Sequence, residues 1–244
     1  MKEKDLINKS HIIPDFMYKY LFDEKHKFIL SSSEDLKKGL LKNKLRFTGD
    51  YEGGLLCSTC DRQVIGQYET YASKVIYAES IPQKMAPIVK HYFNDQGEEW
   101  SECSNIDYKR FKLFLLSILW RASISSREIF KEVKIGKHEE IIRKMIWKGD
   151  PRKESDYPII FMTTVHDKTI PNDYVLQPRT IKLEGHHMVT FPITGMIYFF
   201  FVSSHAKPVK ILKKSIKENN SIIIEHIPEG RGWEYMLKYL GVER

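Results

Sequence analysis

The sequence predicts an α+β fold, in which a mostly helical part over residues 1–150 precedes a β-rich part over residues 151–244. Its 244 residues are 42% hydrophobic and 12% aromatic, which is enough for a sizeable buried core. Helical periodicity dominates before Pro151, and runs of β-branched and aromatic residues dominate after it. The breaker Gly149-Asp150-Pro151 marks the change. Two packed modules remain an alternative, but the pattern favours one continuous unit.

The helices of the first part are predicted from apolar residues that recur every three or four positions. Pro14 suits the first turn of a short helix, because its fixed φ matches a helix and its missing N–H needs no partner there. The strongest pattern begins at Asp107, and its broad apolar face suits a central helix. Predicted helices span residues 14–24, 61–79, 107–129 and 139–147, whereas residues 83–103 are expected to be mixed and to contain loops.

The strands of the second part are predicted over residues 157–165, 180–183, 188–193, 196–202 and 222–226, followed by a helix over 233–240. The most apolar run, Phe191 to Val202, is too short to cross a membrane and suits a buried strand pair. His186 and His187 lie at a strand edge. Since neighbouring strand residues point to opposite faces, these two cannot readily bind one ion together.

The charge balance leaves nucleic-acid binding open. Thirty-nine Lys and Arg against 32 Asp and Glu give a net charge of +7, which is compatible with a phosphate-bearing partner. A Lys-rich chain from an AT-rich genome would look the same. Three cysteines make no disulfide framework, and the charged N-terminus has no apolar stretch of secretory length. These features predict a cytoplasmic protein without a membrane association.

Two short motifs carry the chemistry of the chain. The first is Ser10-His11-Ile12-Ile13-Pro14, and the second is Leu55-Leu56-Cys57-Ser58-Thr59-Cys60-Asp61. A rigidly held neutral imidazole can take a proton from water while a divalent ion stabilises the developing negative charge. Asp61 opens a predicted helix, and its carboxylate suits a hard ion. The alternatives are a helix N-cap for Asp61 and a surface role for His11.

Cys57 and Cys60 have the spacing of two zinc ligands on one turn. A closed structural zinc site needs four ligands, and the chain has no second cysteine pair. Cys103, His11 or His26 could complete the set, and the spacing does not select among them. The alternative is that the two cysteines are small buried residues beside a helix start.

Together the two motifs, over about residues 9–69, resemble the HNH endonucleases, which have a ββα-metal fold. The resemblance implies that His11 is the general base and that Asp61 is a helix-borne ligand for Mg²⁺ or a similar divalent ion. The two groups are then expected to face one cavity. Ser10 stands where the family usually has aspartate, and Glu52 stands at an asparagine position. Cys57 and Cys60 resemble one half of a structural zinc site.

The chain is also similar to a group of bacterial proteins with the same His-Ile-Ile-Pro and Leu-Leu-Cys-x-x-Cys segments and a later glutamate, here Glu69. About two helical turns separate Glu69 from Asp61, so both carboxylates could share a helix face and bind metal. The implied function is a DNA endonuclease of a bacterial defence or mobile-element system. One alternative is a degenerate module that binds nucleic acid or a protein partner. The other is an interaction protein in which His11 and the cysteines are structural.

Overall fold

The computed structural model describes residues 6–25, 27–30, 44–46, 48–77, 81–183 and 185–240. The fold is α+β, as the sequence predicts, with a seven-stranded mixed sheet and several helices. His26 lies outside the described residues.

Two small antiparallel pairs occupy the N-terminal part. Strand β1 (Ser10–His11) pairs with β4 (Tyr51–Glu52), and β2 (Phe28–Leu30) pairs with β3 (Lys44–Arg46). The helix predicted over residues 14–24 is a 3₁₀ helix at Asp15–Leu21, which follows Pro14 directly. The N-terminal part therefore contains more β structure than its helical periodicity predicts.

The large sheet has the strand order β5-β6-β11-β7-β10-β9-β8. Only β11 and β7 run parallel to each other, and the other neighbours are antiparallel. Its strands are β5 (Ile88–Phe93), β6 (Glu99–Ser104), β7 (Ile159–Thr163), β8 (Arg179–Leu183), β9 (His186–Ile193), β10 (Met196–Phe201) and β11 (Ile222–His226).

The hairpin of β5 and β6 corrects the expectation that residues 83–103 are mixed and loop-containing. Most side chains of β5 are exposed, so this edge strand lacks the alternation of buried apolar residues that identifies a strand in a sequence. Because β6 pairs with β11, the sheet draws strands from both sides of Pro151. The compositional change at that proline is therefore not a boundary of the sheet.

Five α-helices accompany the sheet in the described part of the chain. They are α1 (Gly66–Tyr77), which continues a π-helical turn at Cys60–Ile65, α2 (Tyr108–Ile124), α3 (His138–Lys148), α4 (Val209–Lys214) and α5 (Gly232–Leu240). The side chain of Asp107 caps α2 by accepting a 2.9 Å hydrogen bond from the backbone N–H of Arg110. Across the described residues, no helix has the length and apolar character needed to cross a bilayer.

Helix α2 forms the centre of the core, with nearly all its side chains buried. The ring of Phe111 stacks on that of Phe161 in the sheet at a centroid distance of 6.1 Å. Ile12 and Ile13, which directly follow His11, are completely buried in the same apolar cluster. Burying one such side chain contributes about 1.5–3 kcal/mol to stability. The backbone next to His11 is therefore firmly anchored.

Candidate functional site

The short antiparallel pair β1–β4 precedes a helix. Ser10 lies opposite Glu52, and His11 lies opposite Tyr51. Beyond the strands, the N–H of Ile12 donates to the carbonyl of Asp50 at 3.0 Å. The π-helical turn and α1 then follow β4 along the chain. The resemblance implies two antiparallel strands followed by a helix, but here a 3₁₀ helix and strands β2 and β3 lie between β1 and β4.

A hydrogen bond joins the first strand to the start of this helix. The buried hydroxyl of Ser10 donates to Oδ1 of Asp61 at 2.7 Å. Asp61 does not cap the helix: the residue before the π-helical turn is Thr59, whose side chain accepts no backbone N–H. The carboxylate is instead held toward the strand by Ser10.

The imidazole of His11 has its own set of partners. Its Nε2 lies 3.1 Å from the hydroxyl oxygen of Thr48 and 3.7 Å from Oδ1 of Asp15. Burial lowers the pKa of His11, and the charge of Asp15 opposes that shift. The ring is therefore neutral at pH 7, which is the form that can accept a proton.

Arg121 connects helix α2 to both α1 and β1. This fully buried guanidinium donates to the carbonyl of His11 at 2.6 Å, and its Nη2 lies 2.7 Å from Oε1 of Glu69. That Oε1 is buried and accepts no hydrogen bond of acceptable geometry. A 2.7 Å contact without a hydrogen bond means that the N–H of Arg121 is poorly aligned with Oε1. Glu69 therefore neutralises the charge of Arg121 as an ion pair, while its Oε1 accepts no hydrogen bond.

Asp61 and Glu69 line one open groove along the helix. Its lining consists of Phe16, Asp61, Arg62, Gly66, Gln67, Glu69, Thr70 and Ser73. His11 is not among these residues, so the expectation that His11 and Asp61 face one cavity is not met. Neighbouring strand residues point to opposite faces, so the side chain of His11 leaves β1 on the side away from that of Ser10. The two sets of groups are linked through Arg121, which contacts both Glu69 and the carbonyl of His11.

Glu52 does not reach the groove. Its carboxylate accepts hydrogen bonds of 2.6 Å from each of the hydroxyls of Ser125 and Ser126, and one of 3.0 Å from the backbone N–H of Ser126. Burial opposes ionisation of Glu52, but these hydrogen bonds outweigh it and hold its pKa below the ordinary value. They also tie β4 to the end of α2, which ends at Ile124 rather than at the predicted residue 129.

The two motif cysteines lie side by side. The backbone N–H of Cys60 donates to Sγ of Cys57 at 3.4 Å, and the Cys60 side chain lowers the pKa of Cys57. Burial raises the pKa of Cys60. Cys103 lies on β6, where burial raises its pKa to about 11. Within the described ranges, no third metal-binding side chain groups with Cys57 and Cys60. The structural zinc ion therefore stays a prediction.

Three residues around His11 escape recognition in the sequence. Asp15 and Thr48 reach the imidazole only through the fold, and neither belongs to a motif. Arg121 gives one usable signal, because a charged residue inside a strongly apolar helix needs a buried partner. The sequence does not show that this partner is Glu69.

Comparisons with protein-family models, with curated proteins and with solved structures give no match to this chain.

Proposed function

We propose that the chain is a divalent-metal-dependent endonuclease of the HNH type that hydrolyses phosphodiester bonds in DNA. The observation that carries this proposal is the arrangement of β1, β4 and the following helix, with Ser10 hydrogen-bonded to Asp61. This contact joins the strand that bears His11 to the helix that bears two carboxylates. A cytoplasmic location and a role in bacterial defence or in a mobile element belong to the same proposal.

The groove suits Mg²⁺ or a similar hard cation. Asp61 and Glu69 provide carboxylate oxygens on one lining, and the hydroxyl of Ser10 adjoins Asp61. Oε1 of Glu69 is buried against Arg121, so the other oxygen of this partly exposed carboxylate is the one available to an ion in the groove. When bound, such an ion supplies charge stabilisation to a phosphodiester and its leaving oxygen.

The residues of the chain have separate tasks in this proposal. His11 accepts a proton from water, and Asp15 stabilises the resulting imidazolium while Thr48 positions the ring. Arg62 is exposed in the groove beside Asp61 and is placed to bind a phosphate oxygen. Asp61 and Glu69 would hold the ion.

A second candidate function has its own support. Glu52 is engaged by Ser125 and Ser126, and His11 does not line the groove that holds Asp61. These placements favour a degenerate HNH-like module that binds nucleic acid or a protein partner without cleaving it. The two functions differ in whether nucleic acid that binds in the groove is cleaved.

Nicking of supercoiled plasmid DNA with Mg²⁺ or Mn²⁺ tests the first function. We expect the wild-type protein to nick, and the His11→Ala variant to lose about 10²- to 10⁴-fold in rate, as is typical when a general base is removed. Asp61→Asn should raise the metal concentration needed for half-maximal nicking, because it removes the charge of one ligand of the ion. His205→Ala, at an exposed histidine elsewhere, is the matched control and should retain the wild-type rate.

The outcomes separate the two candidates. Equal nicking by wild type and His11→Ala excludes His11 from the mechanism. Salt-dependent retention of DNA in a gel-shift assay, without any nicking by the wild type, supports the binding module instead.

A further inference from the structure

Three histidines that belong to neither motif meet at one edge of the large sheet. His91 lies on β5, His226 is the last residue of β11, and His166 follows β7. One ring nitrogen from each lies within 4.8 Å of the others. We propose that His91, His166 and His226 form a binding site for a divalent transition-metal ion of the Zn²⁺ class.

The sheet topology places the three side chains together. Strands β5, β11 and β7 all run in the same direction, because β6 is antiparallel to both β5 and β11, and β11 is parallel to β7. His91, His226 and His166 therefore lie toward the carboxyl ends of three strands. Polar side chains at such an edge commonly form ligand sites in sheets of parallel strands.

Residues of β6 hold two of the rings. Ser101 pairs directly with His91 across the strands, and its hydroxyl oxygen lies 2.9 Å from Nδ1 of His91 and 2.6 Å from Nε2 of His226. Glu99, two residues before Ser101 on the same face, has a carboxylate oxygen 3.8 Å from Nδ1 of His226. That distance is too long for a hydrogen bond.

The second observation that points to a ligand is the state of His226. Its side chain is 4% exposed, and its buried Nδ1 has no hydrogen-bond partner. A buried ring nitrogen without a partner is costly unless something binds it. Burial and the neighbouring His166 and His91 lower the pKa of His226, which keeps it in the neutral form that binds a metal.

Metal binding requires a small adjustment of one ring. The rings of His166 and His226 are stacked at 4.2 Å with an interplanar angle of 13°, and parallel rings cannot direct their in-plane lone pairs at one ion. Zn–N bonds of about 2.0–2.1 Å place the nitrogens of a tetrahedral site roughly 3.3 Å apart. His166 is exposed in a turn closed by the hydrogen bond from Asp167 N–H to the Thr164 carbonyl, so its side chain can rotate.

Imidazole nitrogens select borderline ions such as Zn²⁺ over Mg²⁺. Three nitrogens leave the fourth position of a tetrahedral Zn²⁺ for water or for the carboxylate of Glu99. Whichever nitrogen of His226 faces the ion, the other keeps a polar neighbour, Ser101 at Nε2 or Glu99 at Nδ1. Such a partner fixes the orientation of a metal-binding histidine.

Titration of the metal-free protein with ZnCl₂ in a calorimeter tests the site. We expect one Zn²⁺ per chain at this site, and His91→Ala or His166→Ala should weaken binding by more than about 100-fold, since loss of a residue that only orients a metal ligand costs about 10- to 100-fold. Both residues are exposed, so neither substitution endangers folding, and circular dichroism checks this. Glu99→Gln should cost at most that smaller factor. His187→Ala, at an exposed histidine on β9, is the matched control.

Two further measurements separate this site from the other metal sites. Co²⁺ bound by nitrogen ligands gives visible d–d absorption without the intense thiolate charge-transfer band that Co²⁺ at Cys57 and Cys60 would give. His11→Ala should bind Zn²⁺ as the wild type does, and His166→Ala should nick DNA as the wild type does. The proposal is overturned if the protein does not bind Zn²⁺ at micromolar concentrations, or if His91→Ala and His166→Ala both bind it as tightly as the wild type. The three histidines would then make only ring contacts with one another.

Discussion

The groove unit, formed by β1, β4 and the helix from Cys60 to Tyr77, differs from the three-histidine cluster in how its polar groups are satisfied. In the groove unit, Ser10 holds Asp61, and Arg121 neutralises Glu69. In the cluster, two rings are exposed and the third has a buried nitrogen without a hydrogen bond. Each site contains one buried atom without a well-aligned hydrogen bond. Oε1 of Glu69 is compensated by the charge of Arg121 at 2.7 Å, whereas Nδ1 of His226 has only the carboxylate of Glu99 at 3.8 Å. The comparison shows that the clearest sequence motifs and the least compensated polar atom lie in different places.

The largest expected effect comes from breaking the ion pair in the groove unit. Glu69→Ala leaves the fully buried Arg121 without its counter-charge, and loss of one partner of a buried pair costs about 3–5 kcal/mol. Urea denaturation should therefore show a large drop in the free energy of unfolding. Glu140→Ala removes the exposed partner of Arg143 and should lower the free energy of unfolding only slightly, because solvent screens this pair. Equal losses of unfolding free energy in the two variants would mean that the ion pair between Glu69 and Arg121 does not stabilise the groove.

A smaller effect on stability should follow from a substitution that adds a negative charge to the groove unit. Ser10→Asp restores the residue type that HNH enzymes usually have there and puts a second carboxylate beside Asp61. Repulsion between the new buried carboxylate and that of Asp61 should lower the melting temperature, and Mg²⁺ should raise it again by neutralising them. Ser10→Asn, which adds a similar volume without charge, is the control. A Mg²⁺ response of the same size in both variants contradicts this view of the groove.

The smallest effect concerns acid, measured in the presence of a chelator. The pKa of His226 is lowered in the folded state, so the unfolded chain binds more protons and stability falls as the pH drops below about 6.5. His91, His166 and Glu99 face this ring. His166→Ala removes one like charge and should reduce the loss, by well under the ceiling of about 1.4 kcal/mol per pH unit for one proton.

His205→Ala is the control for the acid experiment and should follow the wild-type curve, because its exposed side chain lies outside the cluster. Denaturation midpoints at pH 7 and pH 5 suffice for the comparison. An unchanged difference between the two pH values in His166→Ala would show that the charges of the cluster do not act on His226.

The parts of the fold that are apolar could be predicted from the sequence, and the others could not. Strand β11 occupies the predicted residues 222–226, since its Ile-rich run has few other interpretations. Strand β5 was missed because its exposed side chains carry no alternation. The short helix α4 was also missed, because its lysines indicate only a solvated face.

The same division applies to the two sites. Ser10, His11 and Asp61 are recognisable because their neighbours in the chain form motifs, and the fold brings Ser10 to Asp61. The three histidines lie far apart in the chain and meet only through the pairing of β5, β6, β11 and β7. Neither pattern nor spacing indicates which strands become neighbours in a sheet. Only the tertiary structure identifies such a site.

Arg121 connects the groove to the strand that carries His11 through two nitrogens of one guanidinium. Its guanidinium contacts both the carboxylate of Glu69 and the carbonyl of His11. An ion that draws Glu69 toward the groove leaves this buried positive charge more dependent on the carbonyl of His11. If the ion changes the stability of a restraint on that carbonyl by some factor, the restraint changes the affinity of the groove for the ion by the same factor, because such coupling is reciprocal. One arginine in the core can thus transmit the occupancy of the groove to the strand that carries the histidine.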